Sequence, residues 1–259
     1  AKFLRLKSPL GYIWRHYVTN DFSNGMDFAF GGSGVFSTNP NIPNMTLQIG
    51  YLQQLIDDSF YATGDVRSAA VLVTLSGNDY SFYLANGGSV SEIKNFIPSV
   101  VNQLVVNLKR IQRLGARKIV VGGLQPLGCL PRATIANGYK QCIEIDNAAV
   151  GYHNLLLSQA VEELNSAAKG PRFLLLDLYQ AFQTAIDNRG EVKFGSPLTP
   201  CCIGIGSGNS CGTVAENGTE LYAVCEDPSA SFFWDNYHPT ESGWKTVFGL
   251  VKNSVHQFF

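Results

Sequence analysis

Two patterns of apolar positions alternate along the chain: short, nearly continuous apolar runs and longer stretches with helical spacing. Continuous apolar runs of about four to eight residues are typical of strands buried on both faces of a parallel sheet. The run at residues 69–75, Ala-Ala-Val-Leu-Val-Thr-Leu, is the clearest example. We predict parallel strands near residues 26–30, 70–75, 118–123 and 172–177.

Helical periodicity fills the intervals between these runs. Ser89 and Glu92 form a capping box ahead of a long amphipathic stretch that ends at Gly115. Alternating strands and helices predict an α/β fold, a three-layer α/β/α arrangement around a doubly wound, mainly parallel sheet. Because the sequence has no internal repeat and no linker, we expect one domain over residues 1–259. Helices are predicted near residues 46–59, 91–114, 145–169 and 240–259.

The composition excludes several classes of function. The formal net charge of −1 gives no support for nucleic-acid binding. No apolar run approaches the length that spans a membrane, and no secretory signal peptide is present. Residues 1–6 look like the end of an amphipathic helix without a capping residue before it. We therefore expect that further residues precede Ala1 in the complete protein.

Six cysteines indicate an oxidising environment. Four of them crowd into a long Gly/Ser/Pro-rich loop at residues 188–228, and an even number clustered in loops suits disulfides of a secreted protein. Zinc is the alternative, but it is disfavoured because no C-x-x-C pair and no nearby His pair occur. The N-x-S/T sequons at Asn44 and Asn217 predict N-linked glycans, which also favours secretion to the extracellular space, apoplast or vacuole.

A candidate catalytic pair stands near the C-terminus. Asp235 and His238 are three residues apart in a loop that Pro239 ends. A carboxylate that holds one ring nitrogen leaves the other nitrogen free to take a proton, as in the orienter and base of a nucleophilic triad. Gly-rich turns and polar amides that follow strands, here Gly32 and Asn78, are typical of ligand sites at the carboxyl ends of parallel strands.

Five ordered segments resemble those of the plant GDSL-type esterase/lipases of the SGNH hydrolase superfamily, and the resemblance covers essentially the whole chain. It implies the flavodoxin-like SGNH hydrolase fold, a carboxylic-ester hydrolase activity on small ester or lipid substrates, and no metal or other cofactor. The segments are DFAFGG at residues 27–32, GND at 77–79, LQPLGCLP at 124–131, PCC at 200–202 and DNYHP at 235–239.

The resemblance also implies individual roles. His238 matches the catalytic base of the family and Asp235 matches its orienter. Gly32 matches the glycine whose N–H serves the oxyanion hole, and Asn78 matches the side-chain donor to the same oxyanion. Asp27 is a small departure, since the family usually has Asn at this position.

The nucleophile is the large departure, because no Gly-Asp-Ser block occurs anywhere in the sequence. Ser33, Ser59 and Ser76 are the nearest imitations, but Ser33 lies in the oxyanion block and Ser76 precedes the oxyanion Asn. In the family this block lies upstream of the point where the sequence begins, on a first central strand that we expect to be absent here. An N-terminal fragment carrying the block is therefore a candidate partner.

Two functional hypotheses remain open. In the first, the chain is part of a secreted esterase whose N-terminal block is missing through truncation, nicking or unread sequence. In the second, it is a non-catalytic binding or defence protein that kept the pocket and lost the nucleophile.

The disulfide framework follows partly from spacing. Cys129 and Cys142 flank a short polar loop, so we expect them to pair. Cys201, Cys202, Cys211 and Cys225 should form two more bonds. Adjacent Cys201 and Cys202 are poor partners because a vicinal bond strains the peptide. The sequence leaves open which of the other two pairings is formed.

Overall fold

A computed structural model describes residues 1–17, 22–75, 77–168, 170–190 and 192–259 of the chain. Helices and short strands alternate along it. The strands are β1 (Leu10–Gly11), β2 (Met26–Asp27), β3 (Ala70–Val73), β4 (Lys118–Gly122), β5 (Phe173–Leu176), β6 (Cys202–Gly204) and β7 (Tyr222–Val224). The helices are α1 (Met45–Asp57), α2 (Thr63–Ser68), α3 (Asn78–Ala85), α4 (Ile93–Arg113), α5 (Pro131–Thr134), α6 (Glu144–Ala167), α7 (Leu178–Ile186) and α8 (Glu241–Phe258).

The largest sheet of the described chain has the strand order β3-β4-β5. β3 and β4 pair in parallel, with Ala70 opposite Lys118. β4 and β5 run the same way, since the N–H of Ile119 donates to Arg172 O and the N–H of Gly123 donates to Leu176 O. Parallel strands joined through helices confirm the predicted α/β class and three of the four predicted strands.

The strand predicted at residues 26–30 is shorter than expected. It ends at Asp27, because the side chain of Asp27 accepts a hydrogen bond from the N–H of Ala29 and turns the chain. β2 pairs in parallel with β1, which the sequence did not predict, and the two form a separate two-stranded sheet. An aspartate side chain that bonds its own backbone two residues on competes with strand pairing.

β3 differs from the prediction that it is buried on both faces. Leu72 is 66% exposed, whereas Ile119 and Val121 in the neighbouring β4 are almost fully buried. β3 is also the edge strand of this sheet as far as the structure describes it, with β4 as its neighbour on one side. The apolar run correctly predicted a strand at this place, but it does not indicate which side chains of the strand other elements bury. An apolar edge without charge or proline is a position where a further strand can pair.

The described chain divides into two compact units. The first contains residues 1–121 and 156–174, and the second contains residues 122–155 and 175–259. In the first unit α1 packs on α4, and a hydrogen bond from Arg110 Nη1 to Thr46 O joins the two helices at 3.2 Å. Ile49 on α1 and Leu108 on α4 are buried in this unit.

An aromatic core organises the second unit. Phe182 on α7 packs edge-on against Phe232 at 5.5 Å and against Trp244 of α8 at 5.5 Å. Phe232 in turn contacts Phe233 and Phe194 in the same T-shaped manner. Edge-to-face packing satisfies the ring quadrupoles while it buries large apolar areas. This core lies directly beneath the loop that carries Asp235 and His238, because Phe232 and Phe233 immediately precede that loop in the chain.

Three disulfides close the loops of the second unit. Cys129 pairs with Cys142, as expected, and the four remaining cysteines pair as Cys201–Cys225 and Cys202–Cys211. β6 and β7 form an antiparallel hairpin inside the long loop, and the N–H of Cys225 donates to Cys201 O at 2.8 Å. Successive side chains of an extended segment point to opposite faces, so adjacent Cys201 and Cys202 reach different partners.

The described residues contain neither a candidate membrane-spanning helix nor a candidate metal-ligand cluster. None of the helices in that part of the chain combines the length and the apolar content needed to cross a membrane. No group of three or more His, Cys, Asp or Glu side chains in the described ranges is arranged to hold a metal ion.

Candidate active site

Asp235 and His238 meet through a short, local loop in the second unit. His238 Nδ1 lies 2.9 Å from Asp235 Oδ2 and 3.0 Å from Oδ1, the hydrogen-bond contact that the sequence predicts. Asp235 Oδ1 also accepts hydrogen bonds from the backbone N–H groups of Tyr237 and His238, each at 2.8 Å. One carboxylate therefore shapes the loop and orients the imidazole at the same time.

The two members of the pair differ in exposure. The side chain of His238 is 72% exposed, and that of Asp235 is 21% exposed. Partial burial raises the pKa of Asp235, but hydrogen bonds from the His238 ring and from two backbone N–H groups outweigh burial and leave the pKa below its ordinary value. An ionised carboxylate on Nδ1 fixes the tautomer whose Nε2 is the acceptor, which is the form a general base requires.

Backbone pairing holds the ends of this loop together. The N–H of Trp234 donates to His238 O at 2.7 Å, which closes the turn. The disulfide-bearing segment pairs alongside, since the N–H groups of Cys201 and Cys202 donate to the carbonyls of Phe233 and Trp234 at 3.0 and 2.7 Å. The side chain of Phe233 is fully buried in the aromatic core. Core packing of Phe233 and backbone pairing with the cysteine-rich segment thus hold the loop that carries Asp235 and His238 in place.

The start of α8 fixes the other end of the loop. Thr240 caps the helix by accepting from the Gly243 N–H at 3.0 Å, and its hydroxyl donates to Ser231 O at 2.7 Å. A Cβ at Gly243 would lie 2.3 Å from Phe232 O, so only glycine permits this approach of helix to loop. α5 adds a further contact, because the N–H of Arg132 donates to Asn236 O at 3.1 Å.

Gly32 and Asn78 come together in the first unit. Gly32 has φ of +84°, in a turn closed by the Ser33 N–H donating to Phe30 O. Asn78 is the first residue of α3, and its Nδ2 donates to Ser33 O at 2.9 Å. Among the described residues, none accepts a hydrogen bond from the Gly32 N–H. Asn78 is therefore tied by a side-chain hydrogen bond to the residue that follows Gly32.

A buried carboxylate that was not assigned a role from the sequence clamps this turn. Asp79 is 4% exposed, and its two oxygens accept from the N–H groups of Val35 and Phe36, each at 3.0 Å. A Cβ at Gly34 would lie 2.5 Å from Asp79 Oδ1, so the turn needs glycine there. Burial raises the pKa of Asp79, and the backbone donors oppose that rise. The only sequence indication is its place directly after Asn78.

The three serines considered from the sequence differ in how far the structure describes them. Ser33 is buried, its hydroxyl donates to Pro43 O at 2.9 Å, and it accepts from Gln48 Nε2 at 2.9 Å. Ser59 follows α1 with a left-handed φ of 62°. Ser76 lies outside the described residues. Ser33 therefore has a structural role in holding the turn that contains Gly32.

The two sequons differ in their surroundings. Asn44 caps α1 by accepting from the Leu47 N–H at 3.0 Å, and Asn217 lies exposed in a turn where it accepts from the Thr219 N–H. Glycosylation at either stays a prediction. So do the catalytic roles of Asp235 and His238 and the cleft that they are predicted to share with Gly32 and Asn78.

The sequence is similar to one protein family and to several plant proteins. The profile of the GDSL-like Lipase/Acylhydrolase family matches residues 2–251. GDSL esterase/lipase At5g03610 of Arabidopsis thaliana is 44% identical over 98% of this chain and 73% of its own length. GDSL esterase/lipase At3g09930 of the same plant is 43% identical over 97% of the chain and 73% of its length. GDSL esterase/lipase ENOD8 of Medicago truncatula is 28% identical over 98% of the chain and 74% of its length.

Proposed function

The chain belongs to the GDSL-like lipase/acylhydrolase family, and we propose on that premise that it provides the base, the orienter and the oxyanion donors of a carboxylic-ester hydrolase. The observation that carries the proposal is the Asp235–His238 contact at 2.9 Å with an exposed imidazole. The backbone bonds to Asp235 are those of an ordinary Asx turn, so the support for a base comes from the contact with the imidazole ring and its exposure.

The proposed chemistry is acyl transfer through a serine ester. His238 Nε2 takes the proton of the serine hydroxyl as the oxygen attacks the ester carbonyl, and Asp235 stabilises the imidazolium that forms. The Gly32 N–H and the Asn78 amide bind the oxyanion. Asn78 Nδ2 has two hydrogens, so its bond to Ser33 O leaves one N–H for the oxyanion. The imidazolium then returns the proton to the leaving alkoxide, and water releases the acid by the reverse sequence.

The serine comes, in this proposal, from an N-terminal segment with a G-D-S block, since the sequence has none. The open edge of β3, where Leu72 is exposed, supports the addition of such a strand. The segment is either covalently continuous with the chain in the complete protein or a separate fragment retained after nicking.

Intact mass and hydrolysis measured on one purified sample test the proposal. We expect a mass above 28.2 kDa after deglycosylation, or a co-purifying peptide that contains Gly-Asp-Ser, together with hydrolysis of p-nitrophenyl acetate. A mass of 28.2 kDa with no hydrolysis would leave the second candidate function, a non-catalytic binding or defence protein. The hydroxyl of Ser33, which is buried and engaged in two hydrogen bonds, favours that candidate.

We propose secretion as the setting of this activity, to the extracellular space, the apoplast or the vacuole. Three disulfides suit an oxidising compartment, and exposed Asn217 suits a glycan. A mass decrease on treatment with a peptide N-glycosidase, lost in Asn217→Gln, is the expected result. No shift in protein from the native source would remove the glycan from the proposal.

A further inference from the structure

A cavity of 660 Å³ opens within the second unit, and its lining includes neither Asp235 nor His238. The volume is within the range of small-molecule sites, about 300–1,000 Å³. Four segments form the walls: the loop 138–142, the first turn of α6, one face of α7 and the segment 196–199. Nothing in the proposed ester chemistry uses these residues.

The loop wall holds an aromatic residue in a strained conformation. Tyr139 has φ of 61°, which is uncommon for any residue with a Cβ and rare for a bulky one. Asn137 braces the loop from both ends, since its Nδ2 donates to Gln141 O at 2.8 Å and its Oδ1 accepts from the Lys140 N–H at 3.0 Å. Strain of this kind persists only where the surroundings fix it, and it concentrates at ligand-binding positions.

The disulfide fixes the same wall to the core. Cys142 lines the cavity, and its partner Cys129 is fully buried. Tyr139 and Cys142 both pack against the aromatic core of the second unit. The N–H of Ile143 donates to Gly128 O at 2.8 Å, beside the disulfide. The loop is therefore already organised, which lowers the entropic cost of binding.

α7 contributes a polar stripe to the opposite wall. Tyr179, Gln183 and Asp187 line the cavity at intervals of four residues, which places them on one face of the helix. Gln183 Nε2 donates to Asp187 Oδ1 at 3.3 Å. The other face carries Phe182, which is buried in the core. Burial, and then the nearby Glu144 carboxylate, raise the pKa of Tyr179, so its hydroxyl stays a donor at neutral pH.

The mixture of lining groups selects a chemical class of ligand. Glu144 would repel an anion and Lys140 would repel a cation, while Asp187 is already paired with Arg189 at 2.8 Å. Two tyrosine rings with amide, carboxylate and ammonium groups suit a molecule that has apolar C–H faces and many hydroxyls. We infer that this cavity binds a neutral saccharide, with Tyr139 and Tyr179 as the ring contacts.

A lipid acyl chain fits the cavity less well. Ile186, Leu198 and Pro197 are the aliphatic contributors to the lining, and the first two are almost entirely buried behind it. An acyl chain would cover Lys140 and Glu144 without offering either of them a hydrogen bond, which is costly when water is displaced. The saccharide hydroxyls replace that water with donors and acceptors of the same kind.

Isothermal titration calorimetry with cellotetraose, xylotetraose and N-acetylchitotetraose tests the inference on the wild-type chain. At least one of these neutral probes should bind with a Kd below about 1 mM. Tetragalacturonate and decanoate report the anionic and acyl alternatives. Binding is measured directly, so the result does not depend on any hydrolytic activity and cannot be confused with failure of the proposed function.

Variants then locate the binding. Tyr139→Asn keeps a residue that tolerates positive φ but removes the ring, and Tyr179→Leu removes the second ring. Each should weaken binding of the neutral probe about tenfold. Tyr152→Leu is the matched control on α6, because Tyr152 is exposed and does not line the cavity; it should change Kd less than twofold. Thermal melts confirm that each variant folds.

Three outcomes would overturn the inference. The first is that no neutral probe gives a heat of binding at concentrations up to about 10 mM. The second is that tetragalacturonate or decanoate binds more tightly than every neutral probe. The third is that Tyr152→Leu and Tyr179→Leu weaken binding equally in folded protein.

Discussion

Two regions that the proposed chemistry uses, the Asp235–His238 loop of the second unit and the Gly32 turn of the first unit, are built in different ways. The Asp235–His238 pair forms within four consecutive residues and leaves its imidazole largely exposed. The Gly32 turn is instead held by Asn78 and Asp79, whose contacts to it lie 43 to 45 residues away in sequence, and Asp79 is buried. A base must reach a proton at the surface of a cleft, whereas an oxyanion donor must be fixed before charge develops. The Asp235–His238 pair therefore depends on local contacts and is exposed, whereas the Gly32 turn depends on long-range contacts to a buried carboxylate.

The strongest test of this contrast is removal of the base. In an assembly that hydrolyses p-nitrophenyl acetate, we expect His238→Ala to lower kcat/KM by about 10⁴-fold or more, because no other group takes the serine proton. Since the loop is closed by backbone bonds, the melting temperature should hardly change. His256→Ala on the exposed face of α8 is the control and should keep full activity. Retained hydrolysis in His238→Ala would end the catalytic reading.

Removal of the oxyanion amide should cost less. Asn78→Ala is expected to lower kcat by about 10²–10³-fold, because it deletes one donor to the oxyanion and leaves the Gly32 N–H in place. KM should change little, since the donor acts mainly in the transition state. Asn95→Ala, at an exposed position of α4, is the matched control. A loss below threefold would show that Asn78 serves only to hold Ser33 O.

We expect acid to destabilise the second unit by protonating His153, a residue that has no part in the proposed chemistry. His153 on α6 is buried, and burial lowers its pKa to about 4. The unfolded chain binds a proton below about pH 6.5 while the folded chain does not, so stability should fall as pH drops from about 6.5 to 4. The expected loss is about 3 kcal/mol in urea unfolding. A neutral His153→Gln variant should show a shallower decline; an identical pH profile would contradict the prediction.

Loss of the Asp79 contacts to the Gly32 turn should have the smallest of the four effects. Asp79→Asn keeps one acceptor but points an NH₂ at a backbone N–H, while it also removes a charge that burial disfavours. We expect a net loss of about 1–2 kcal/mol in the free energy of unfolding. The faster hydrogen exchange of the Val35 and Phe36 amides is the more specific readout.

Asp65→Asn provides the control for that measurement. Asp65 also accepts a backbone N–H, from Ala62, but it is exposed at the start of α2. It should leave the exchange of Val35 and Phe36 unchanged. Equal effects of the two substitutions would show that the buried clamp is no stronger than an ordinary helix cap.

Acid titration separates the two aspartates of the site further, because their pKa values are shifted in opposite directions. Asp235 has a lowered pKa, so it stabilises the fold above about pH 3.8 and loses that contribution in acid. Asp79 has a raised pKa, so its contribution to stability grows as pH falls toward that range. As pH falls, the contribution of Asp235 to stability is therefore expected to decrease and that of Asp79 to increase.

The sequence by itself predicted the elements whose cause is local. Apolar runs located β3, β4 and β5, because burial in a parallel sheet requires continuous apolar side chains. The D-x-x-H spacing predicted the Asp235–His238 contact, because a short loop brings residues three apart into reach. The cysteine spacing predicted the Cys129–Cys142 bond for the same reason.

Only the tertiary structure decided the features that depend on distant segments. The exposure of Leu72 on β3 depends on what covers that face of the sheet, and the pairing of Cys201 with Cys225 follows from the β6–β7 hairpin. The role of Asp79 depends on a turn 43 residues away in sequence. The cavity beside Tyr139 needs walls from four separate segments. The apolar periodicity of a sequence indicates which residues are buried, but which distant residues they contact is decided only when the chain packs.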